Sequence, residues 1–357
     1  MRNPAYRVRC VLALAMLAST FGLVTPAVRS QSSDHAPLKH VADVPLPGPA
    51  VRFDYQSLDT SQGRLYIAHM NANQLVVFDT KKRVVIANLD GFPSVHGVLA
   101  VSELGRVYAS VTGEHKVAAV GMATLKTIAK VGPINYPDGI AYAPDSKRVF
   151  VSDEHGDADA VIDTKTNFLV TSIPLGGAGN TVYDSGSGSG HILVAVHEKN
   201  ELGAIHPATA KIIGRYAMTG IESQHGIALD VAERLAFVAG EENQKLAVVD
   251  LTTMKVLATH SVGEDPDVLA FDPGLKRLYV SAESGNVAVL RERGKTLVSE
   301  GGLFIPHAHT VCVDRDTDLV FFPCKILMVT PSYGSWSPPK PIEGSASRGM
   351  QDQSQQG

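Results

Sequence analysis

Short runs of Val, Ile, Leu, Tyr and Phe alternate with turn residues along most of this chain. The segment after His225 shows the unit: Gly226 to Leu229, a turn, Leu235 to Ala239, a loop, Leu246 to Asp250, a turn, and Val256 to His260. The same order recurs as Arg64 to Ile67, Leu75 to Asp79 and Val84 to Ala87, and again as Val149 to Val151, Ala160 to Asp163 and Leu169 to Ser172. Runs this short, rich in β-branched and aromatic residues and bounded by turns, predict strands and not helices. Each unit therefore reads as four short strands.

Aligned on the first residue of the first strand, the units start at Asp54, His96, Asp138, Asn180, His225, Asp267 and His309, with steps of 42, 42, 42, 45, 42 and 42 residues. A single four-stranded unit cannot bury both faces of its sheet. Successive units must pack face to face, and a closed ring removes the exposed ends. The expected fold is all-β, a seven-bladed β-propeller of four-stranded antiparallel blades over residues 38–331. The last unit offers only 309–314, 319–324 and 326–330, so its missing outer strand is expected from Lys39 to Pro45, which closes the last blade with the N-terminal strand.

The repeats resemble those of the YVTN-type propellers, a family that includes exported bacterial proteins of the YncE type. The residues that carry this resemblance are Pro137 to Ser152 and Pro266 to Ser281. The sequence departs from the pattern in the second strand, which reads Tyr66-Ile-Ala-His69 or Phe237-Val-Ala-Gly240, and in a Ser/Gly run from Ser185 to Gly190 expected to interrupt the fourth blade. The resemblance implies a fold and leaves the function open, because propellers host lyases, lactonases, electron-transfer subunits and binding scaffolds.

Composition narrows the class. With 357 residues, 44% of them hydrophobic and 19% charged, the chain is neither disordered nor a disulfide-stapled miniprotein. Residues 1–30 carry Arg2, Arg7, Arg9 and Arg29, no acid, and an apolar run from Cys10 to Val24, the layout of a cleaved secretory signal. Its removal takes the formal charge from −4 to −8, which disfavours nucleic acid as a partner. The expected product is a secreted or periplasmic monomer with no later transmembrane segment. From Ser332 the chain turns to Ser, Gly, Pro and Gln and reads as a disordered tail, 332–357, containing Trp336.

The candidate chemistry lies at the starts of the inner strands. In a four-stranded antiparallel blade, the start of the inner strand and the loop between strands two and three lie on one face. Three imidazoles, His96, His225 and His309, then ring the axis as candidate metal ligands, with Asp54 and Asn180 as further ligand-binding groups. Asp138 and Asp267 suit either a general base or a cap that holds the next blade's backbone. Loop positions 15 to 17 residues on add His69, Asp153, Glu154, His197, Glu241, Glu283 and Cys324, and His307 lies two residues before His309. Of these, Glu241 is the candidate proton carrier, while His69, His197 and His307 are candidate ligand contacts. On the opposite face, Asp59, Asp230, Asp272 and Asp314 recur five residues after the starts and read as turn caps.

Imidazole donors favour a divalent metal, zinc or copper. Cys312 and Cys324 are the only thiols after signal removal, and an exported pair suggests a disulfide. The expected hairpin register instead sets Cys324 opposite His309 and keeps the two cysteines apart, either as a thiolate near the imidazoles or as an inert buried thiol. Two functions follow. One is a funnel that binds a metal, a small polar or cationic ligand, or a protein partner; the other is a metal-dependent lyase or lactone hydrolase at the same funnel. No Gly-x-Ser-x-Gly elbow, P-loop, dinucleotide fingerprint or haem motif is present.

Overall fold

A computed structural model describes residues 36–186, 188 and 190–324, and the backbone of 332–337. The expected signal peptide, the segment 326–330 and residues 338–357 lie outside the described residues. Six blades are each built from four consecutive antiparallel strands, paired in chain order. Their inner strands are Gln56–Asp59, Val95–Val101, Pro137–Ala143, Ala178–Asp184, Gln224–Asp230 and Pro266–Asp272.

This corrects the expectation of a seven-bladed propeller: six blades are formed from consecutive strands. The last part of the chain enters another four-stranded sheet assembled from separated segments, in the order Lys39–Pro45, Ser332–Ser337, Leu319–Cys324 and Cys312–Asp314. Its inner strand is only three residues long. Its third strand is Ser332–Ser337, not 326–330, so the expected boundary at 331 falls inside the sheet and part of the expected tail is a strand. A run of Ser, Gly and Tyr still pairs here because ladder hydrogen bonds come from the backbone and need no apolar side chain. The Ser/Gly run after Ser185 does not interrupt the fourth blade either: it connects the inner strand to His191–Val196, and all four strands are present.

Burial follows strand position. The second strand of the fifth blade, Leu235–Gly240, is buried throughout, whereas the outer strand Lys255–Ser261 alternates exposed and half-buried residues. A middle strand is covered on both faces by neighbouring blades and reads as a continuous apolar run; an outer strand meets water on one face and alternates. The aromatic layer between the fifth and sixth blades includes Phe237 and Phe271, with ring centroids 5.1 Å apart. The composite sheet packs likewise on both sides: Phe321 joins Phe53 and Leu65 of the first blade, and Val320 and Phe322 join Tyr279 and Val289 of the sixth.

Two devices bring adjacent inner strands close at the axis. A Cβ at Gly97 would lie 1.9 Å from the Asp138 carbonyl oxygen, and one at Gly226 would lie 1.9 Å from that of Asp267, so only glycine fits either place. Hydroxyls on the second strands then tie blades together. Ser110 donates to the Asp138 carbonyl at 2.6 Å, Thr112 to the Pro137 carbonyl at 2.6 Å, and Ser152 to the Gly179 carbonyl at 3.0 Å. These contacts set where each axial side chain begins.

Candidate functional site

At the end of the axis where the inner strands begin, a polar well of about 270 Å³ opens. Its lining includes His96, Asp138, His225 and Asp267 from the starts of the inner strands, Asp54 from just before the first of them, and Glu154, Glu241 and Glu283 from the loops between second and third strands. The imidazole of His225 is the hub. Its Nε2 lies 3.5 Å from Asp138 Oδ2, and its Nδ1 lies 3.1 Å from Asp267 Oδ1 and 3.6 Å from Glu241 Oε1. His309 is buried and does not itself line the well, but its Nε2 lies 3.8 Å from Asp54 Oδ1 and its Nδ1 4.0 Å from Glu283 Oε2. The Arg52 guanidinium is taken by Glu283 at 2.6 Å.

The electrostatics are those of crowded, poorly solvated acids. Burial works against the charged form of His225, yet Asp138, Asp267 and Glu241 around it hold its pKa well above the usual imidazole value. Burial likewise pushes Asp267 up, and the His225 cation, helped by His309 and Arg52, outweighs it and holds Asp267 low. Asp138 has a smaller share of that cation, and burial carries it up to about 6. Burial raises Glu241 to about 7; His225 offsets part of that rise and nearby carboxylates add to it. His309 is raised by Asp54 and its acidic neighbours despite burial. Several buried atoms have no hydrogen-bond partner: Tyr55 Oη, Asp138 Oδ1, Asp267 Oδ1 and His309 Nε2.

Not every expected residue joins the well. His96 reaches it, but its nitrogens are engaged: Nδ1–H donates to the Ser94 carbonyl at 2.7 Å, and Nε2 accepts from the Tyr136 hydroxyl at 3.0 Å. The expectation that three imidazoles share one ion is therefore corrected. Among the described residues, the donor sets that converge are Asp54, Asp267 and His309, and His225, Glu241 and Asp267. Carboxylates, and not His96, complete both converging sets.

His69 is fully buried, stacked on Phe53 with ring centroids 4.0 Å apart, and burial lowers its pKa to about 4. Asn180 is turned to its own backbone, accepting from Thr181 N at 2.7 Å, and lines the lower shaft of the axis and not the well. His197 lies over Gly177, and His307 sits exposed on a left-handed turn with φ +62°; neither lines the well. Asp153 accepts from the backbone N–H groups of Asn135 and Tyr136 and is a loop cap.

Both cysteines are free. The Cys324 thiol donates to the Phe322 carbonyl at 3.3 Å, and burial raises it to about 12, so it is an inert thiol and not a thiolate ligand. The lower-face aspartates are turn caps: Asp230 Oδ1 accepts from Ala232 N and Glu233 N, and Asp272 Oδ1 from Gly274 N and Leu275 N.

Sequence reasoning missed Tyr55, Tyr136 and Asp265 as well residues. Tyr136 and Asp265 stand two residues before the axial positions Asp138 and Asp267, as Arg52 stands before Asp54. The repeat register that located the axial residues therefore also pointed, two residues earlier in three of the blades, to further residues of the well.

The chain is a β-propeller. No protein-family profile matches it, and no curated protein does either. Several solved structures are similar to it. Hydrazine synthase of Kuenenia stuttgartiensis is 16% identical with a TM-score of 0.64, covering 80% of this chain and 95% of that one. U3-55K is 8% identical with a TM-score of 0.70, covering 83% of this chain and 98% of that one. Virginiamycin B lyase from Staphylococcus aureus is 12% identical with a TM-score of 0.69 and covers the same shares. Likeness at this level concerns the fold alone. Among the described residues, no helix is long and apolar enough to cross a membrane.

Proposed function

We propose that this is an exported propeller whose axial well binds a divalent metal, zinc before copper, and presents it to a small polar molecule. The observation that carries the reading is convergence: buried carboxylate and imidazole atoms from different blades face one another, several of them without a well-aligned hydrogen bond. Leaving such groups unpaired costs about 1–3 kcal/mol each, more when charged, and a bound cation recovers that cost. Mixed imidazole and carboxylate donors suit zinc, and the inert thiols remove the case for a soft, thiolate-bound ion. In the metal-free well the His225 imidazolium supplies the positive charge that an ion would replace.

Zinc binding to metal-stripped protein, followed by calorimetry and elemental analysis, tests the reading. Tight binding by the parent chain, lost in Asp267→Asn with unchanged circular dichroism, is the expected outcome. A parent chain that takes up no zinc, copper or manganese overturns it.

A second reading, lyase or lactone-hydrolase chemistry, is favoured by Asp138. Its carboxyl faces the well, stands near 6 through burial, and belongs to neither donor set, which leaves it able to move a proton. One of the similar structures is of a lyase. Metal-loaded protein should then open small lactones or eliminate across activated C–O bonds, and Asp138→Asn should remove turnover while retaining metal. Equal turnover by Asp138→Asn and the parent chain would eliminate this reading.

A further inference from the structure

We propose that the well holds two divalent cations, with Asp267 shared between them. This rests on the metal-binding reading above and goes further by setting the number of ions and the residue that joins them. The two donor sets, Asp54–Asp267–His309 and His225–Glu241–Asp267, have Asp267 in common and no other member. In each set the donor atoms all lie within 4.8 Å of one another.

The spacing suits ions and not only hydrogen bonds. A tetrahedral zinc with bonds of ~2.1 Å sets its donors ~3.4 Å apart. In the first set, His309 Nε2 and Asp54 Oδ1 are 3.8 Å apart. In the second, His225 Nδ1 is 3.1 Å from Asp267 Oδ1 and 3.6 Å from Glu241 Oε1. Asp267 and His309 are 5% and 3% exposed, and Asp267 Oδ1, His309 Nε2 and His225 Nδ1 face only one another and neighbouring carboxylates, with no well-aligned hydrogen bond.

Charge points the same way. Asp54, Asp138, Glu154, Glu241, Asp265, Asp267 and Glu283 line the well with one arginine, Arg52, which Glu283 already occupies. A single dication among the remaining acids leaves a large uncompensated negative charge in a poorly solvated space, and a second largely removes it. A carboxylate bridging two ions is the arrangement of two-metal sites. Each set supplies three protein donors, which leaves each ion a position for water or for an oxygen atom of a carboxylate or phosphoryl ligand.

The test is stoichiometry on the full metal-stripped chain, by zinc titration and by elemental analysis after gel filtration. Two zinc ions per chain are expected for the parent, one each for His309→Ala and Glu241→Gln, and none retained by Asp267→Asn. Cobalt(II) gives a fold-independent check: magnetic coupling in its electron paramagnetic resonance spectrum is expected at two equivalents and absent at one. A plateau at one ion in the parent overturns the two-ion inference and leaves the metal-binding reading standing. No uptake overturns both, and two ions retained by Asp267→Asn overturns the bridge.

Discussion

A glycine and a serine decide where Asp267 and Asp138 stand. Gly226 lets the fifth inner strand approach the Asp267 carbonyl so closely that an added methyl group would lie 1.9 Å from it. Gly226→Ala should destabilise the protein by about 1–3 kcal/mol in denaturant unfolding and weaken zinc binding as well, because relieving the clash moves Asp267. Ser110→Ala removes the hydroxyl that reaches the Asp138 carbonyl, for an expected loss of about 1 kcal/mol.

Asp159 is fully buried away from the well, and burial raises it to about 7 from 3.8, against the smaller lowering effects of the Thr181 hydroxyl and the Val151 backbone. The folded protein therefore holds a proton there that the unfolded chain releases. That contribution is complete below about pH 4, falls as pH rises, and is gone above about pH 7, with a ceiling on the order of 4 kcal/mol. His69, lowered to about 4 by burial, works in the opposite sense as pH falls. The difference in unfolding free energy between the parent and Asp159→Asn isolates the Asp159 effect: the variant should gain on the parent steadily from about pH 4 to about pH 7. A pH-independent difference would contradict it.

At the scale of the element, the blade is a graded object. Its inner strand carries chemistry, its second and third strands carry the core, and its outer strand meets water. Phe237 lies on a second strand, is fully buried, and packs at a tilt against Phe271 of the next blade. Phe237→Ala should cost about 3–5 kcal/mol in unfolding experiments, while the parent metal stoichiometry is retained in the fraction that stays folded.

Strand boundaries in the six blades were legible because alternation, turn residues and a repeat near 42 residues all agree locally. The third strand of the composite sheet was not. Ser332–Ser337 has the composition of a linker, and it is a strand only because Lys39–Pro45 and Leu319–Cys324 stand on either side with unpaired backbone groups. No local pattern records that pairing.

For the whole molecule, the composite sheet brings chain segments from both ends of the propeller together between the sixth and first blades. Deleting residues 36–45 should strip an edge strand from that sheet and expose Ser332–Ser337. Loss of cooperative unfolding and concentration-dependent aggregation are expected, read by scanning calorimetry and light scattering.

The linear order of residues determined the repeat, the strands within it, the lower-face turn caps and the residues that begin each inner strand, because all of these depend on neighbours a few positions apart. Tertiary structure alone decided which of those residues act together. Tyr136 and Ser94 occupy the nitrogens of His96, and Phe53 covers His69, while His225 is surrounded by Asp138, Asp267 and Glu241 from three different blades. The physical reason is that spacing along the chain assigns a residue to the axis, whereas a shared donor set depends on side-chain directions and ångström-scale distances that exist only once the blades have packed.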